Sequence, residues 1–295
     1  MTFRDVLIPQ SRADDAHSGA RHNGAPKKAG ASAHSAAGRP VPPVLVYHKV
    51  ECRNEFGVTR LSPRRFAGQI EALAVGGWRT LTLNELAAVL AGTRAAGPRE
   101  VAITFDDAYR GLRDYAFPAL ADAGFTAACA VITEYAGRLN RWDVAIGGRR
   151  FAHLAWRDIA RWHGRGIEFI SHTATHPRLS WLEADQAALE LTRSRTMLEM
   201  VLGAPVQAIA YPYGAAGPRE RELARAAGYR LGFAVLSRWR GDVLAVPRTP
   251  VYPWSTSPPV AGPWGVLERS AAQIVTRGSF VGAMWRHAHS ASPRT

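Results

Sequence analysis

The sequence predicts an α/β fold, a closed or nearly closed β/α barrel, on three observations. About seven short apolar runs recur between residues 43 and 246, and helical segments with recognisable caps separate them. The runs show little alternation, as expected of parallel strands buried on both faces. Two chemistry-bearing motifs, Thr104-Phe105-Asp106-Asp107 and Ser171-His172-Thr173-Ala174-Thr175-His176-Pro177, each follow such a run. In β/α barrels the reactive groups sit at the C-terminal ends of strands.

The elements follow in order. Residues 1–40 are rich in Ala, Gly, Ser, His and Arg without apolar periodicity, and read as a disordered basic tail. They lack the continuous apolar stretch of a secretory signal. The barrel domain is expected over residues 41–260, opening with a strand at 44–47. Ser62-Pro63 supplies an N-cap and a proline at the first helical position, for a helix ending at Gly76-Gly77. Thr82 and Glu85 have capping-box spacing for a helix ending near Gly92. A strand at 101–105 precedes a helix at 111–123 closed by Gly124. A strand at 126–131, a helix at 155–163 and a strand at 167–170 come next. Ser180 and Glu183 repeat the capping-box spacing at the head of the longest helix, which ends at Gly203. Strands at 206–210, 231–235 and 244–246 flank a helix at 218–227. Residues 261–295 hold Pro, Trp and His with weak periodicity and read as a peripheral segment.

Composition narrows the function classes. The chain has 295 residues, 47% hydrophobic and 21% charged, enough for a large core. No run of 18 apolar residues is present, so the expectation is a cytoplasmic or membrane-peripheral protein without a transmembrane helix. The net charge of +13 is nearly all arginine, since the lysines are Lys27, Lys28 and Lys49 alone. Scattered arginine without a recognition motif argues against specific nucleic-acid binding. It is compatible with peripheral contact to an anionic membrane. Cys52 and Cys129 are too few for a disulfide framework, and Cys129 reads as a core residue. Nothing in the sequence sets the oligomeric state.

The motifs supply the chemistry. One Asp and two His suffice for a divalent metal with an open position for water. The second Asp is then free to act as a base. His172 and His176 are four residues apart, which brings both imidazoles to one side of a helix or tight turn. Ser171 and Thr173 are candidates to orient those rings. Either motif alone has an ordinary reading, a chance His pair or a loop Asp pair; together, at the strand ends of one barrel, they point to a metal hydrolase. A third motif, Ala210-Tyr211-Pro212-Tyr213-Gly214, also follows a strand, and its tight turn can present backbone N–H groups to a developing negative charge.

In this order, T-F-D-D, S-H-T-x-T-H-P and Y-P-Y-G resemble the motifs of the polysaccharide deacetylase family, carbohydrate esterase family 4. Val46-Tyr47-His48-Lys49-Val50 resembles the Y-H-x-V opening of its branch that includes biofilm poly-N-acetylglucosamine deacetylases. The resemblance covers roughly residues 43–250. It implies a distorted (β/α)7 barrel, the NodB-like fold, and a divalent metal ion, usually zinc, on Asp107, His172 and His176. It makes Asp106 the general base and the Tyr213 backbone N–H the oxyanion donor, with Tyr211, Pro212 and Tyr213 lining the substrate site. The acid that protonates the leaving amine comes from the first strand in this branch, which points to His48. His287 and His289 lie in a C-terminal stretch whose context does not match the family's Leu-x-His.

Two departures stand out. The family's third motif opens with an Arg that pairs with the base Asp, but Ala210 stands there. Arg248, after the last strand, is the candidate to supply that charge. The fourth motif, D-x-x-D-W, is not evident, which leaves Trp142 and Trp239 as candidates to stack on a sugar. The activity expected is removal of N-acetyl groups from a sugar of a polysaccharide or glycolipid. The alternative is a hydrolase of non-sugar amides or imides on the same barrel. An exposed aromatic mouth would favour the sugar and a small closed pocket the alternative.

Overall fold

A computed structural model describes residues 41–53, 59–141, 150–235 and 239–255, with Pro258 and Val260. The expected tail (1–40) and peripheral segment (261–295), with His287 and His289, lie outside these, as does Trp142. The strands are β1 (Val44–Tyr47), β2 (Lys49–Val50), β3 (Arg60–Leu61), β4 (Arg79–Thr80), β5 (Glu100–Phe105), β6 (Ala127–Val131), β7 (Ile167–Ser171), β8 (Ala208–Ala210), β9 (Leu231–Ala234), β10 (Val246–Pro247) and β11 (Thr249–Pro250). The helices are α1 (Pro63–Val75), α2 (Leu83–Ala91), α3 (Phe117–Asp122), α4 (Trp156–His163), α5 (Ala184–Leu202) and α6 (Pro218–Ala226).

The main sheet runs β10-β9-β8-β7-β6-β5-β1-β11, with β4 also on β5, and its strand pairs are parallel. The barrel closes in an unusual way. β10 pairs with β9, β11 pairs with β1, and the single residue between them is Arg248. One chain segment therefore bridges the two edges of the sheet. Taken together, β10 and β11 form the seventh stave.

Alternation along the strands separates two cores. Val44, Ala102, Ala128, Ala130, Ile170, Ala208, Ala210, Leu231 and Phe233 form one cluster, in which small residues suit a narrow barrel interior. Leu86 and Leu90 of α2 join it at the N-terminal end, where the Glu168 carboxylate accepts the Leu83 N–H at 2.8 Å. The alternate residues, among them Leu45, Tyr47, Ile103, Phe105, Cys129 and Phe169, pack against the helices. Cys129 is fully buried, and burial pushes its thiol pKa well up.

Capping chemistry explains the starts of α1 and α2. Ser62 accepts the Arg65 N–H, and Thr82 and Glu85 form the expected capping box. The Ser180/Glu183 box does not form. Ser180 is taken into a 3₁₀ turn, Leu179–Trp181, and α5 begins after Glu183 without a side-chain cap. The helix expected over 111–123 is a π-helical turn, Leu112–Ala116, followed by α3. Pro118 has no N–H for the regular ladder, and the widened turn precedes it. No helix among the described residues is long and apolar enough to cross a membrane.

Candidate active site

Asp106 lies one step beyond β5, and its N–H bonds the Tyr47 carbonyl at 2.8 Å. This sets it beside His48, the first residue past β1. By strand alternation Asp106 shares the inward face with Thr104. Arg248, from the closing segment, reaches both: its Nη1 and Nη2 donate to Asp106 Oδ1 and Oδ2 at 2.7 Å each, and Nη1 donates to Thr104 Oγ1 at 3.3 Å. Burial pushes the Asp106 carboxyl up, but Arg248, followed by His172 and His48, outweighs burial and holds it at about 2. Asp106 is therefore a permanent carboxylate. His48 is half-buried. Burial, aided by Arg248 and His172 and opposed by Asp106 and Asp107, lowers its pKa below the ordinary value, so the imidazole is neutral at pH 7.

Asp107 turns away from the strand at a φ of 69°. Its Oδ1 lies 3.4 Å from His172 Nε2 and 3.6 Å from His176 Nε2. His172 follows β7, and its Nδ1 is 2.7 Å from the Ala210 carbonyl. That contact makes Nδ1 the donor and turns the Nε2 lone pair toward Asp107. Ala210 thus orients a histidine through its backbone.

His176 arrives on a tight turn rather than a helix. Thr173 and His176 both have a φ of 66°. The Thr173 hydroxyl accepts the His176 N–H at 3.0 Å, and the Ser171 hydroxyl accepts the Thr173 N–H at 3.1 Å. Ser171 and Thr173 therefore shape the loop backbone, where the sequence suggested contact to the rings. Glu190 of α5 accepts the Ala174 and Thr175 N–H groups at 2.9 Å and the Thr175 hydroxyl at 2.7 Å. The positive-φ non-glycine residues among those described are Asp107, Ala108, Thr173, His176 and Tyr213. All belong to the motifs or adjoin them, and such backbone persists only where the surroundings hold it.

The donor set suits a metal. Asp107, His172 and His176 are buried, and their ligand atoms lie within 4.8 Å of one another. Donors about 2.1 Å from one tetrahedral ion stand about 3.4 Å apart, close to the observed 3.4 and 3.6 Å. Asp106 has Arg248 to balance its charge, whereas Asp107 has no Lys or Arg ion pair among the described residues. Burial lowers the His172 pKa, but Asp106 and Asp107 outweigh it and raise the net value, so the carboxylates draw positive charge to this point.

Tyr213 occupies the turn after β8 at a φ of 59°, with its ring 4.9 Å from that of His176. Gly214 follows at a φ of 64°, where a Cβ would lie 2.5 Å from the Val235 side chain. Tyr211, expected against substrate, is instead fully buried in the outer core because its ring points between strand and helices. Pro212 is buried beside it and shapes the turn. Trp239 packs against the inner cluster rather than standing free for a sugar.

Three residues escaped the sequence reading. His153 Nδ1 is 2.6 Å from the Asp107 carbonyl, with its ring stacked on Tyr109. Glu190 holds the histidine loop, as described above. Trp254 is the one strongly exposed aromatic among the described residues, 47% exposed and stacked on Tyr252 at 4.7 Å. Its segment runs along the end of β1, where the Val251 N–H bonds the Val46 carbonyl at 3.0 Å. Trp254 thus follows the strand that pairs with β1, next to Ser255, whose carbonyl accepts from Gln69 Nε2 at 2.9 Å.

The polysaccharide deacetylase family profile matches residues 93–232, the stretch that contains Asp106, Asp107, His172, His176 and the Tyr213 turn. Over that stretch the chain is similar to the polysaccharide deacetylase family. His48 and Arg248 fall outside the matched stretch, so structure rather than the profile joins them to the site. A curated relative of this chain is YxkH of Bacillus subtilis (strain 168), whose name carries a provisional polysaccharide deacetylase assignment. It is 26% identical over 190 residues, 64% of this chain and 63% of its own length, so the chain spans less than two thirds of that relative. Among solved structures, IcaB from Ammonifex degensii is 27% identical with a TM-score of 0.65, covering 74% of this chain and 95% of its own. The deacetylase PplD of Streptococcus pyogenes, determined with acetate, is 23% identical with a TM-score of 0.64, covering 72% of this chain and 93% of its own. Both share the nearly closed, mostly parallel barrel of this chain.

Proposed function

We propose that the domain of residues 41–260 is a metal-dependent hydrolase that removes N-acetyl groups from an N-acetylated sugar of a polysaccharide or glycolipid. The observation that carries this is the division of two adjacent carboxylates. Asp106 is held by Arg248, and Asp107 faces two imidazole nitrogens.

Asp107, His172 and His176 would hold a divalent ion, zinc in the first instance, which lowers the pKa of a water and polarises the amide carbonyl. Arg248 keeps Asp106 ionised and fixes both of its oxygens, so the carboxylate stands ready to take a proton from the attacking water. A carboxyl with a pKa of about 2 holds a proton poorly. The proton therefore passes on, and His48, neutral at rest beside Asp106, is the group to receive it. His48 then delivers it to the leaving nitrogen, producing acetate and a free amine. The Tyr213 backbone N–H is assigned to the developing oxyanion. The exposed Trp254 favours a sugar over a small amide or imide, because it offers an apolar face to a ring at the surface.

The test is acetate release from N-acetylglucosamine oligomers by protein that has been chelated and then reloaded with zinc. Release that returns only with metal supports the reading. A fully loaded protein that hydrolyses small amides or imides and not these oligomers would favour the alternative.

A further inference from the structure

A cleft of about 350 Å³ adjoins the histidine loop, lined by Glu134, Tyr135, Arg138, Leu139, Arg141 and Thr175. It shares a wall with the proposed metal site. Thr175 directly precedes His176, and the Glu134 N–H bonds the Ala174 carbonyl at 3.0 Å. A group in the cleft is therefore a neighbour of whatever occupies the metal site. Its volume is within the range of small-ligand sites.

The charge of the cleft is one-sided. Its single acid, Glu134, is paired with Arg193 of α5 at 2.7 Å. Arg138 and Arg141 are exposed at the rim and make no ion pair to a carboxylate among the described residues. Many of the other arginines do pair, including Arg79, Arg94, Arg113, Arg195, Arg219, Arg221, Arg225 and Arg248. Two guanidiniums without a carboxylate partner among the described residues thus line one hollow beside the reacting centre. Leu139, 49% exposed, and the half-buried Tyr135 give the same hollow an apolar wall. Guanidinium forks match the geometry of carboxylate and phosphate oxygens, and an apolar wall suits the body of a sugar ring.

We propose that this cleft is an anion subsite, and that the substrate is an acidic glycan or glycolipid whose carboxylate or phosphate lies next to the acetylated sugar. The proposal rests on the deacetylase reading for the identity of the neighbouring sugar. The cleft selects by charge, while the metal site acts on the acetamido group. A uronic acid residue and a sugar phosphate offer the same anionic oxygens and differ in where the charge is attached.

The experiment uses the full chain, zinc-loaded and carrying Asp106→Asn so that binding is read without turnover. Calorimetric titration compares three probes: an oligosaccharide alternating N-acetylglucosamine with glucuronic acid, a neutral N-acetylglucosamine oligomer of equal length, and N-acetylglucosamine 1-phosphate. An acidic probe is expected to bind about tenfold tighter than the neutral one at low salt, and added salt should erode the gap. If the glucuronate oligomer is preferred, a uronic acid is the partner; if the sugar phosphate is, the partner is a phosphate. Arg138→Gln with Arg141→Gln should collapse the preference toward one, and Arg141→Glu should turn it toward an amine-bearing oligomer. Arg64→Gln with Arg65→Gln, which removes the same charge from the exposed face of α1, should leave the preference intact. Equal binding of charged and neutral probes overturns the subsite, as does a preference that the α1 pair abolishes equally. Acetate release from the neutral oligomer by the unsubstituted enzyme is scored separately. With the acidic oligomer assayed for acetate release alongside the neutral one, charge selection without release from either would sink the deacetylase reading and keep the subsite; release without charge selection would do the reverse.

Discussion

Arg248 grips Asp106 through both carboxylate oxygens, each at 2.7 Å, from the one residue that joins the two halves of the barrel's closing segment. The family's usual partner for this Asp would stand at position 210, where this chain has Ala. The charge arrives from the other side of the sheet seam, so closing the barrel and setting the base are one structural event. Asp106 is buried, and its counter-ion is buried with it.

Removing that counter-ion should cost both stability and activity. Arg248→Gln leaves a buried carboxylate without its cation, a loss of roughly 3–5 kcal/mol. A thermal melt should fall by several degrees or more, and acetate release should fall at least a hundredfold. A variant that melts like the parent would show that Arg248 does not carry the pair.

The same pair sets an acid limit. The folded Asp106 pKa is about 2 against an ordinary 3.8. A depressed carboxyl stabilises the fold fully above its unfolded pKa, and that contribution is lost as pH falls through its folded value. About 2 kcal/mol of stability should therefore disappear between roughly pH 4 and pH 2 in metal-free protein. In Arg248→Gln, burial acts with less opposition, so the acid transition should move upward. Denaturant melts across this range would read the shift.

Glu190 should tune metal affinity without touching the ion. Its carboxylate fixes three donors in the loop that carries His176. Glu190→Gln is expected to weaken zinc binding about 10–100-fold, measured by competition with a chromogenic chelator, while turnover at saturating zinc falls much less. Unchanged affinity would reduce Glu190 to a bystander.

His48 and Trp254 should separate in kinetics. His48→Gln should keep zinc and lower kcat by about 10²–10⁴. Trp254→Ala should raise KM for oligomers about tenfold with kcat nearly unchanged. An equal drop in kcat for both would contradict their assigned places.

The site was legible in the sequence where its chemistry is local. Asp106-Asp107 and His172 with His176 sit in contiguous motifs, and each strand end could be read from the apolar run before it. Arg248 could be suspected only through the missing Arg at 210, because its partner lies across the barrel seam. His153 and Glu190 gave no signal, since each is a lone residue brought in from a distant element. Tyr211 misled because a motif residue beside a site can still turn its ring into the core. The fold was readable down to seven staves, but not the division of the last into β10 and β11, which depends on two different neighbours. Ser180 had the right spacing for a capping box and lost it to the 3₁₀ turn that contains it.

The most direct measurement is metal content and acetate release for Asp106→Asn and Asp107→Asn, assayed side by side. The account predicts that Asp106→Asn keeps one zinc per chain and loses turnover by a factor of about a thousand or more, while Asp107→Asn loses the zinc itself. An Asp106→Asn protein that no longer holds metal, or that still releases acetate at the parent rate, would contradict the division of labour between the two carboxylates.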